Sequence, residues 1–227
     1  MTKCMTRNKE ISRVPRSREQ ARIAYNKLSR WYDVIAGFFE KEPRELALQK
    51  LNVAEGEKVL EIGFGTGHSI LALARSVNES GRVYGIDISD SMVDITEQRI
   101  AEAGLSERVD LKRGDATQLP FETEIFNAVF MSFTLELFDT PEISIVLKEC
   151  RRVLQKGGRI CIVTLSKEKA GLITKIYEWL HNKLPRYADC RPIFVQRALD
   201  KAGFQIIDSK GITIGGLFIE IAVAKQT

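Results

Sequence analysis

The stretch VLEIGFGTGHS, Val59 to Ser69, places three glycines at alternate positions directly after a short apolar run. Such a run followed by helix-period residues predicts a strand, a tight turn and a helix. The first N–H groups of a helix that follows a parallel strand lie at the carboxyl edge of the sheet, where a ligand can accept hydrogen bonds from them. Gly63, Gly65 and Gly67 would let the main chain turn with positive φ and approach that ligand closely. The stretch therefore predicts a ligand-binding turn.

From residue 57 onward, short β-branched runs alternate with helix-period segments. This alternation predicts an α/β fold, a Rossmann-like, mostly parallel sheet with helices on both faces. Seven runs are predicted to be strands: KVLEIG, GRVYGIDIS, RVDLKRGD, IFNAVFMSF, GRICIVTLS, FQIIDSKGI and LFIEIAVAK. We expect residues 53–227 to form this domain.

Residues 1–52 precede the predicted sheet and form a basic, loosely patterned tail followed by two predicted helices. The first is expected over residues 20–39, and the second is PRELALQKLNV, begun by Pro43 because proline is tolerated at a helix start. We expect this region to act as a helical lid over the domain.

The composition narrows the classes of function. A net charge of +4 on 227 residues does not demand a polyanionic partner, so no nucleic acid is expected. The four cysteines show neither a CxxC pair nor a histidine at ligand spacing, so we expect no metal and a reducing, cytoplasmic location. The N-terminus lacks the apolar core of a secretion signal, and no apolar run is long enough to cross a membrane.

Glu61, two residues before the first glycine, argues against a phosphate ligand, because an acid facing a phosphate would repel it. A dinucleotide fingerprint needs GxGxxG, but here the third glycine comes one residue early and His68 follows it. The Walker sequence GxxxxGK[ST] is absent. A ligand that carries a positively charged amino group fits an acid at this strand end better.

At its observed spacing, EIGFGTG resembles the first motif of the class I S-adenosylmethionine-dependent methyltransferases. Three further segments support the resemblance: Asp87 closes the second strand, GDA…LPF follows the third with Asp115 and Ala116, and VLQKGGRICIV leads into the fifth. From the residues alone, Asp87 could also cap the next helix, and Asp115 could simply make a turn.

The resemblance implies S-adenosylmethionine as cofactor, an antiparallel last strand and a role for each motif residue. Glu61 would orient the amino group of the methionine moiety, N–H groups from Phe64 to Gly67 would approach its carboxylate, and Ser132 would lie near it. Asp87 would hold the ribose, and Asp115 with Ala116 the adenine. The cofactor-binding set expected in this way is Glu61, Gly63, Phe64, Gly65, Thr66, Gly67, Asp87, Ile88, Met92, Asp115, Ala116 and Ser132.

Within class I, the chain from Tyr25 onward looks most similar to the ubiquinone and menaquinone biosynthesis methyltransferases, and YNKLSRWYDVIAG contributes to this likeness. Two departures matter. Asn127 stands where that family has an acid before the fourth strand, and FTLELFDTPE replaces its Arg-Asn pair after that strand. The resemblance therefore implies methyl transfer to a small hydrophobic or aromatic acceptor, a quinone-like or phenolic lipid. A phospholipid amine is the alternative, and an RNA acceptor a weaker one.

Five residues are candidates for binding the acceptor, and each has a plainer interpretation. Tyr25 and Tyr32 could reach the acceptor from the lid or simply pack on the core. Glu136 could be a base or a solvated loop acid, His181 a site residue or a helix-end residue, and Arg191 a partner of the acceptor or of a neighbouring carboxylate. The sequence leaves the catalytic residues and the need for a general base undetermined, since the sulfonium group already activates the methyl group.

Three other interpretations compete with this one: an RNA-modifying enzyme, a nucleoside-binding protein without catalysis and a nicotinamide dehydrogenase. A basic amphipathic lid is compatible with peripheral contact with a membrane surface. The sequence does not predict an oligomeric state.

Overall fold

A computed structural model describes residues 37–168 and 191–226, together with Glu19, Gln20, Arg22, Ile23 and Asn26. In chain order the described helices and strands are α1 (Gly37–Leu51), β1 (Lys58–Ile62), α2 (His68–Ser76), β2 (Arg82–Asp87), α3 (Asp90–Glu102), β3 (Val109–Arg113), β4 (Phe126–Ser132), α4 (Thr140–Val153), β5 (Leu154–Leu165), α5 (Val195–Lys201), β6 (Phe204–Ile214) and β7 (Leu217–Gln226). Two short 3-10 helices occupy Ser106–Arg108 and Leu135–Leu137.

The described strands form one seven-stranded sheet in the order β3-β2-β1-β4-β5-β7-β6. Strands β1 to β5 pair in parallel, and β7 lies antiparallel between β5 and β6. The predicted fold class, with its seven strands and antiparallel last strand, is therefore confirmed. The strand order reverses between β1 and β4, and such a reversal opens a crevice at the carboxyl ends of the strands.

Both faces of the sheet are covered, because the side chains of each buried strand alternate between two apolar clusters. Leu60 and Ile62 of β1 pack with residues of α4 and α5, whereas Val59 packs with residues of α1, α2 and α3. The two clusters fix the sheet between two helical layers, so the strand ends that carry the candidate site are held rigidly.

Two helix boundaries differ from the predictions. Helix α1 begins at Gly37, and Pro43 lies inside it and not at its start. Pro43 is buried, and its packing offsets the hydrogen bond that its missing N–H removes. From the sequence, a helix is predicted over PEISIVLKECRRVLQKGG, including its two glycines. Helix α4 instead ends at Val153, because Leu154 already pairs with Phe126 as part of β5.

Helix α1 is fastened to the sheet at its C-terminal end. The Arg159 guanidinium donates to the carbonyl oxygens of Leu51 (2.6 Å) and Asn52 (2.8 Å) and forms an ion pair with Glu57 at 2.7 Å. Ala47 and Leu51 of this helix are fully buried against the sheet. The boundary at residue 52 and the lid stay predictions, since most of residues 1–36 lies outside the described part of the chain. None of the described helices combines the length and apolarity needed to cross a bilayer.

Candidate cofactor and acceptor site

The turn between β1 and α2 contains Gly63, Gly65 and Gly67, with φ values of 70°, 53° and 85°. A Cβ on Gly63 would lie 2.4 Å from the side chain of Thr134, and one on Gly67 would lie 2.5 Å from that of Thr96. A Cβ on Gly65 would meet nothing within 4 Å. Two of the three glycines therefore allow the turn to pack against its neighbours, and only Gly65 borders open space.

Three side chains bind the carbonyl oxygens of this turn, and the sequence analysis identified none of them. Thr96 donates to the oxygen of Gly65 at 2.9 Å, and Arg99 donates to that of Thr66 at 2.8 Å. Thr134 lies 3.3 Å from the oxygen of Gly63. These bonds fix the peptide planes of the turn before any ligand arrives. The spacing of Thr96 and Arg99, one helical turn apart, is the signal that sequence analysis could have used.

Asp87, at the end of β2, accepts hydrogen bonds from the N–H groups of Ser89 (2.9 Å) and Gly65 (3.0 Å), one on each carboxylate oxygen. Burial raises the pKa of Asp87 to about 6, and these N–H groups oppose the shift. A carboxylate oxygen accepts more than one hydrogen bond, so both oxygens keep capacity for ligand hydroxyls. The N-cap of α3 is Ser89, so the interpretation of Asp87 as the cap is wrong.

Glu61 is buried in β1 with only 1% of its surface exposed. Burial raises its pKa to about 8, and the hydroxyl of Ser69 and the charge of Arg44 oppose that shift. Its Oε2 atom has no hydrogen-bond partner in the structure. A buried carboxylate oxygen without a partner is costly, and a cationic group of a ligand would remove that cost. Glu61 therefore fits the amino group of a methionine moiety.

Asp115 follows β3 and accepts hydrogen bonds from both the N–H and the hydroxyl of Thr117, each at 2.9 Å. It thus makes the turn that the plainer interpretation proposed. The N–H of Gly114 donates to the carbonyl oxygen of Asp87 at 2.8 Å, which brings the tips of β2 and β3 together. Ala116 is buried beside this turn. A role for Asp115 and Ala116 at an adenine ring stays a prediction.

The remaining predicted cofactor residues fall into two groups. Phe64 and Met92 are buried in the apolar cluster of α2 and α3, and Thr66 is buried as well, so Phe64 and Thr66 would meet a ligand through their main chain. Ile88 is partly exposed after β2, and the hydroxyl of Ser132 at the end of β4 is buried without a hydrogen-bond partner. The structure thus brings the predicted residues to the ends of β1, β2, β3 and β4.

Glu136 lies in the 3-10 helix after β4 and is fully buried, so the interpretation as a solvated loop acid is wrong. Its Oε1 accepts a hydrogen bond from the N–H of Leu165 at 3.2 Å, and its Oε2 has no partner. Burial raises the pKa of Glu136 to about 8, while its own N–H, the Thr164 hydroxyl and the Leu165 N–H oppose the shift.

Arg191 is fully buried and donates to the carbonyl oxygen of Phe138 at 2.5 Å. The next residues run along the end of β5, where Ile193 bridges to Ser166. Arg191 therefore joins the segments that follow β4 and β5. Tyr25, Tyr32 and His181 lie outside the described residues, so their roles stay predictions.

Glu220, a buried acid beside the end of β5, was not identified from the sequence. Glu220 of β7 accepts hydrogen bonds from the hydroxyl of Ser166 at 2.6 Å and from the amide of Gln196 at 2.5 Å. Both of its oxygens are engaged, unlike those of Glu136. A carboxylate inside an otherwise apolar strand, EIAVA, was the available signal.

The described part of the N-terminal region contacts the start of α3. Arg22 donates to Asp90 at 2.6 Å, and the Ser89 hydroxyl donates to the amide oxygen of Asn26 at 2.6 Å. These contacts lie beside Asp87, at the end of the crevice expected to hold a nucleoside. Among the described residues, no group of three or more His, Cys, Asp or Glu side chains is placed to hold a metal ion.

Comparisons with known proteins agree with this geometry. Residues 59–158 match a family model described as a methyltransferase domain. A demethylmenaquinone methyltransferase of Bacillus subtilis (strain 168) is 34% identical over 152 residues, covering 65% of this chain and 64% of the relative. Residues 59–158 therefore form a methyltransferase domain, and the predicted enzyme class is confirmed. The predicted family and the S-adenosylmethionine cofactor agree with these matches.

Another sequence relative and two solved structures align with more of the chain than the Bacillus subtilis protein does. The chain spans less than two thirds of the length of the Bacillus subtilis relative. A demethylmenaquinone methyltransferase of Bacillus cytotoxicus is 28% identical, and the alignment covers 92% of this chain and 97% of the relative. A crystal structure of the [4+2]-cyclase SpnF, 20% identical, covers 95% of this chain and 98% of its own with a TM-score of 0.77. A SAM-dependent methyltransferase from Aquifex aeolicus, 23% identical, covers 81% and 89% with a TM-score of 0.61. At these identities the two structures show the fold alone.

Proposed function

We propose that this protein transfers the methyl group of S-adenosylmethionine to a small quinone-like or phenolic acceptor. The observation that carries the proposal is the edge formed by Gly65, Asp87 and Glu61. It combines a main chain open to a ligand, a carboxylate with capacity for hydroxyls and a buried acid with one oxygen that lacks a hydrogen-bond partner. These groups match the three polar parts of that cofactor: its carboxylate, its ribose and its amino group.

The residues of the chain hold and orient the reactants in this proposal. Main-chain N–H groups of the glycine turn bind the methionine carboxylate, Glu61 binds the amino group and Asp87 binds the ribose hydroxyls. When bound, the cofactor supplies an activated methyl group on its sulfonium. Orientation of reacting groups contributes roughly 7–11 kcal/mol to such reactions, which is why a fixed turn matters more here than a strong acid or base.

The acceptor class is supported by two observations. The relatives with the highest sequence similarity reported above are named demethylmenaquinone methyltransferases, one of them aligned over 97% of its length. The tips of β4 and β5, next to the glycine turn, carry buried polar side chains within an apolar surrounding, which suits an aromatic ring bearing oxygen substituents. No observation favours a phospholipid amine or RNA, and membrane-surface contact stays a prediction.

Binding of S-adenosylhomocysteine tests the cofactor half of the proposal. We expect calorimetry to show one site, and Asp87→Asn to weaken binding at least tenfold, since a charged hydrogen bond contributes about 1.5–3 kcal/mol. Asp94→Asn, on the exposed face of α3, is the matched control and should leave binding unchanged. Equal affinities in the wild type and Asp87→Asn would reject the assignment of the ribose site.

Transfer of a labelled methyl group tests the acceptor half. Reduced demethylmenaquinone, a phospholipid mixture and total tRNA are offered separately with labelled cofactor, and we expect label only in the quinol product. This assay is needed because the SpnF structure shows that a closely similar fold occurs in a [4+2]-cyclase. Label on the phospholipid or tRNA alone, or no label at all despite cofactor binding, would overturn the proposed acceptor.

A further inference from the structure

Two buried acids, Glu61 and Glu136, lie at the carboxyl ends of neighbouring strands β1 and β4, and each has one oxygen without a hydrogen-bond partner in the structure. The hydroxyl oxygen of Ser132, four residues before Glu136, is also buried and has no hydrogen-bond partner. Buried polar atoms are nearly always hydrogen-bonded, so a group of exceptions at one edge of a sheet indicates a partner that binds there. The proposed function accounts for Glu61 only.

The carboxyl group of Glu136 is held in a fixed orientation. Its Oε1 accepts from the N–H of Leu165 at 3.2 Å, and the hydroxyl of Thr164 opposes the rise in the pKa of this carboxyl group. Oε2 is left as the free end. A carboxyl held in this way at one oxygen presents the other to a ligand without the loss of side-chain entropy that a mobile glutamate would incur.

The segment of Glu136 packs directly against the cofactor turn. Thr134, two residues earlier, lies 3.3 Å from the carbonyl oxygen of Gly63 and fills the place of the missing Cβ of that glycine. Glu136 therefore lies beyond the turn, on the side of β4 and β5 and away from Asp87 and β2. A molecule that receives a group from the cofactor has to lie next to this turn.

We propose that Oε2 of Glu136 binds a hydroxyl group of the acceptor and thereby selects hydroxylated aromatic acceptors over their methyl ethers. This inference rests on the proposed function and deepens it. A hydroxyl both donates and accepts, so it can pair with a carboxyl group in either protonation state, whereas a methyl ether cannot donate. The same device would discriminate the quinol form of a quinone-like acceptor from its oxidised form, which has no hydroxyl.

The test compares two probes that differ by one methyl group, 2-naphthol and 2-methoxynaphthalene. Their binding to the protein saturated with S-adenosylhomocysteine is followed by fluorescence near pH 8, where about half of Glu136 is ionised and a hydroxyl can pair with either form. We expect the wild type to bind 2-naphthol at least about tenfold more tightly than the ether, in line with a charged hydrogen bond. Glu136→Gln, which keeps the bond from Leu165, should reduce this preference to about twofold or less.

Glu220→Gln is the matched control. Glu220 is another buried acid, located in β7 beside the carboxyl end of β5, but both of its oxygens accept hydrogen bonds. It should keep the wild-type preference. An equal preference in the wild type and Glu136→Gln, or an equal loss in Glu220→Gln, would assign Glu136 a purely structural role and overturn the proposal.

Two features keep the test decisive. The wild type alone contradicts the proposal if it binds both probes equally, so the result does not depend on a variant that folds. Binding of S-adenosylhomocysteine to Glu136→Gln should equal that of the wild type. Loss of the probe preference with intact cofactor binding is then a statement about the acceptor site, whereas failure of the proposed function would appear as absent cofactor binding or absent methyl transfer.

Discussion

The polar groups at the ends of β1 and β2 differ from those at the ends of β4 and β5 in how they are paired. On the first side, the N–H of Gly65 binds Asp87, and Thr96 and Arg99 bind the carbonyl oxygens of the turn. On the second side, Glu136 and Ser132 keep buried oxygens without partners. The first side is organised before a ligand binds, and the second depends on a ligand to complete its hydrogen bonds. Such a division suits a constant cofactor and a selected acceptor.

Glu61 is the exception on the cofactor side, because its Oε2 also lacks a partner. In the proposed function this oxygen binds the positively charged amino group of the ligand, so the same reasoning applies to both sides. Thr134 connects the two sides physically, since it lies in the segment after β4 and contacts Gly63. The following predictions test how separate the two sides are.

The largest effect is expected from Gly63→Ala. A new Cβ would lie 2.4 Å from Thr134 at a φ of +70°, so both contact and backbone conformation are unfavourable. We expect the free energy of unfolding in urea to fall by about 4 kcal/mol, the range of severe core substitutions. A loss below about 1 kcal/mol would mean that the segment after β4 moves away easily, and the two sides would then not be rigidly joined.

Gly65→Ala should mainly affect binding. Its Cβ would meet nothing within 4 Å of protein, so we expect a stability loss of about 1 kcal/mol from the positive φ alone. Affinity for S-adenosylhomocysteine should fall by about tenfold to a hundredfold, because the methyl group would occupy the cofactor space; this corresponds to about 1.4–2.7 kcal/mol.

Gly157→Ala is the matched control for Gly65→Ala. Gly157 also has a positive φ, 74°, and open space around its missing Cβ, but it lies within the first residues of β5, where the pairing with β4 is irregular. It should lose similar stability and no affinity. Equal affinity losses in the two variants would show that the effect comes from backbone strain and not from contact with the cofactor.

Another expected effect concerns the dependence of stability on pH. The pKa values of Glu61 and Glu136 rise from 4.5 in the unfolded chain to about 8 in the folded protein. The folded state therefore binds more protons between these values, and the stability of the ligand-free protein should decrease as pH rises through this window. We expect a loss of about 2 kcal/mol, less than the shifts alone imply, because water relieves part of the burial.

Urea unfolding at several pH values measures this loss. Glu61→Gln and Glu136→Gln should each flatten the curve, whereas Glu122→Gln, an exposed side chain, should not. Saturation with S-adenosylhomocysteine should reduce the contribution of Glu61 to the pH dependence of stability and leave the contribution of Glu136 unchanged. If the ligand reduced the contributions of both glutamates, the cofactor side and the acceptor side would not act separately.

The alternation of strands and helices was sufficient to predict the seven strands and the fold class, because buried parallel strands require apolar runs and connecting helices require helical periodicity. Glu61, the glycine turn and Asp87 were also predictable, since a charge or a glycine at a strand end contradicts simple core packing. Asn127 departs from the family pattern, but it pairs with Lys58 and Gln155 at the amino ends of β1 and β5, far along the strands from the candidate site.

The contacts that organise the site could not be predicted from local patterns. Thr96, Arg99 and Thr134 act on a turn that is some thirty to seventy residues away in the chain, and only the packed fold reveals which polar side chains face it. The burial of Glu136 likewise depends on β5 and not on its own segment. Pro43 was misread as a helix start because the local preference of proline was overridden by packing of α1 on the sheet.

Side chains of two strands hold the C-terminal half of helix α1. Arg159 of β5 binds two carbonyl oxygens at the C-terminus of this helix, and Lys50 forms an ion pair with Asp208 of β6. The C-terminal half of the helix is thereby anchored to both β5 and β6. Glu40 and Arg44, whose charges act on Glu136 and Glu61, lie on this helix, so any displacement of the helix would change the charge that each buried acid experiences.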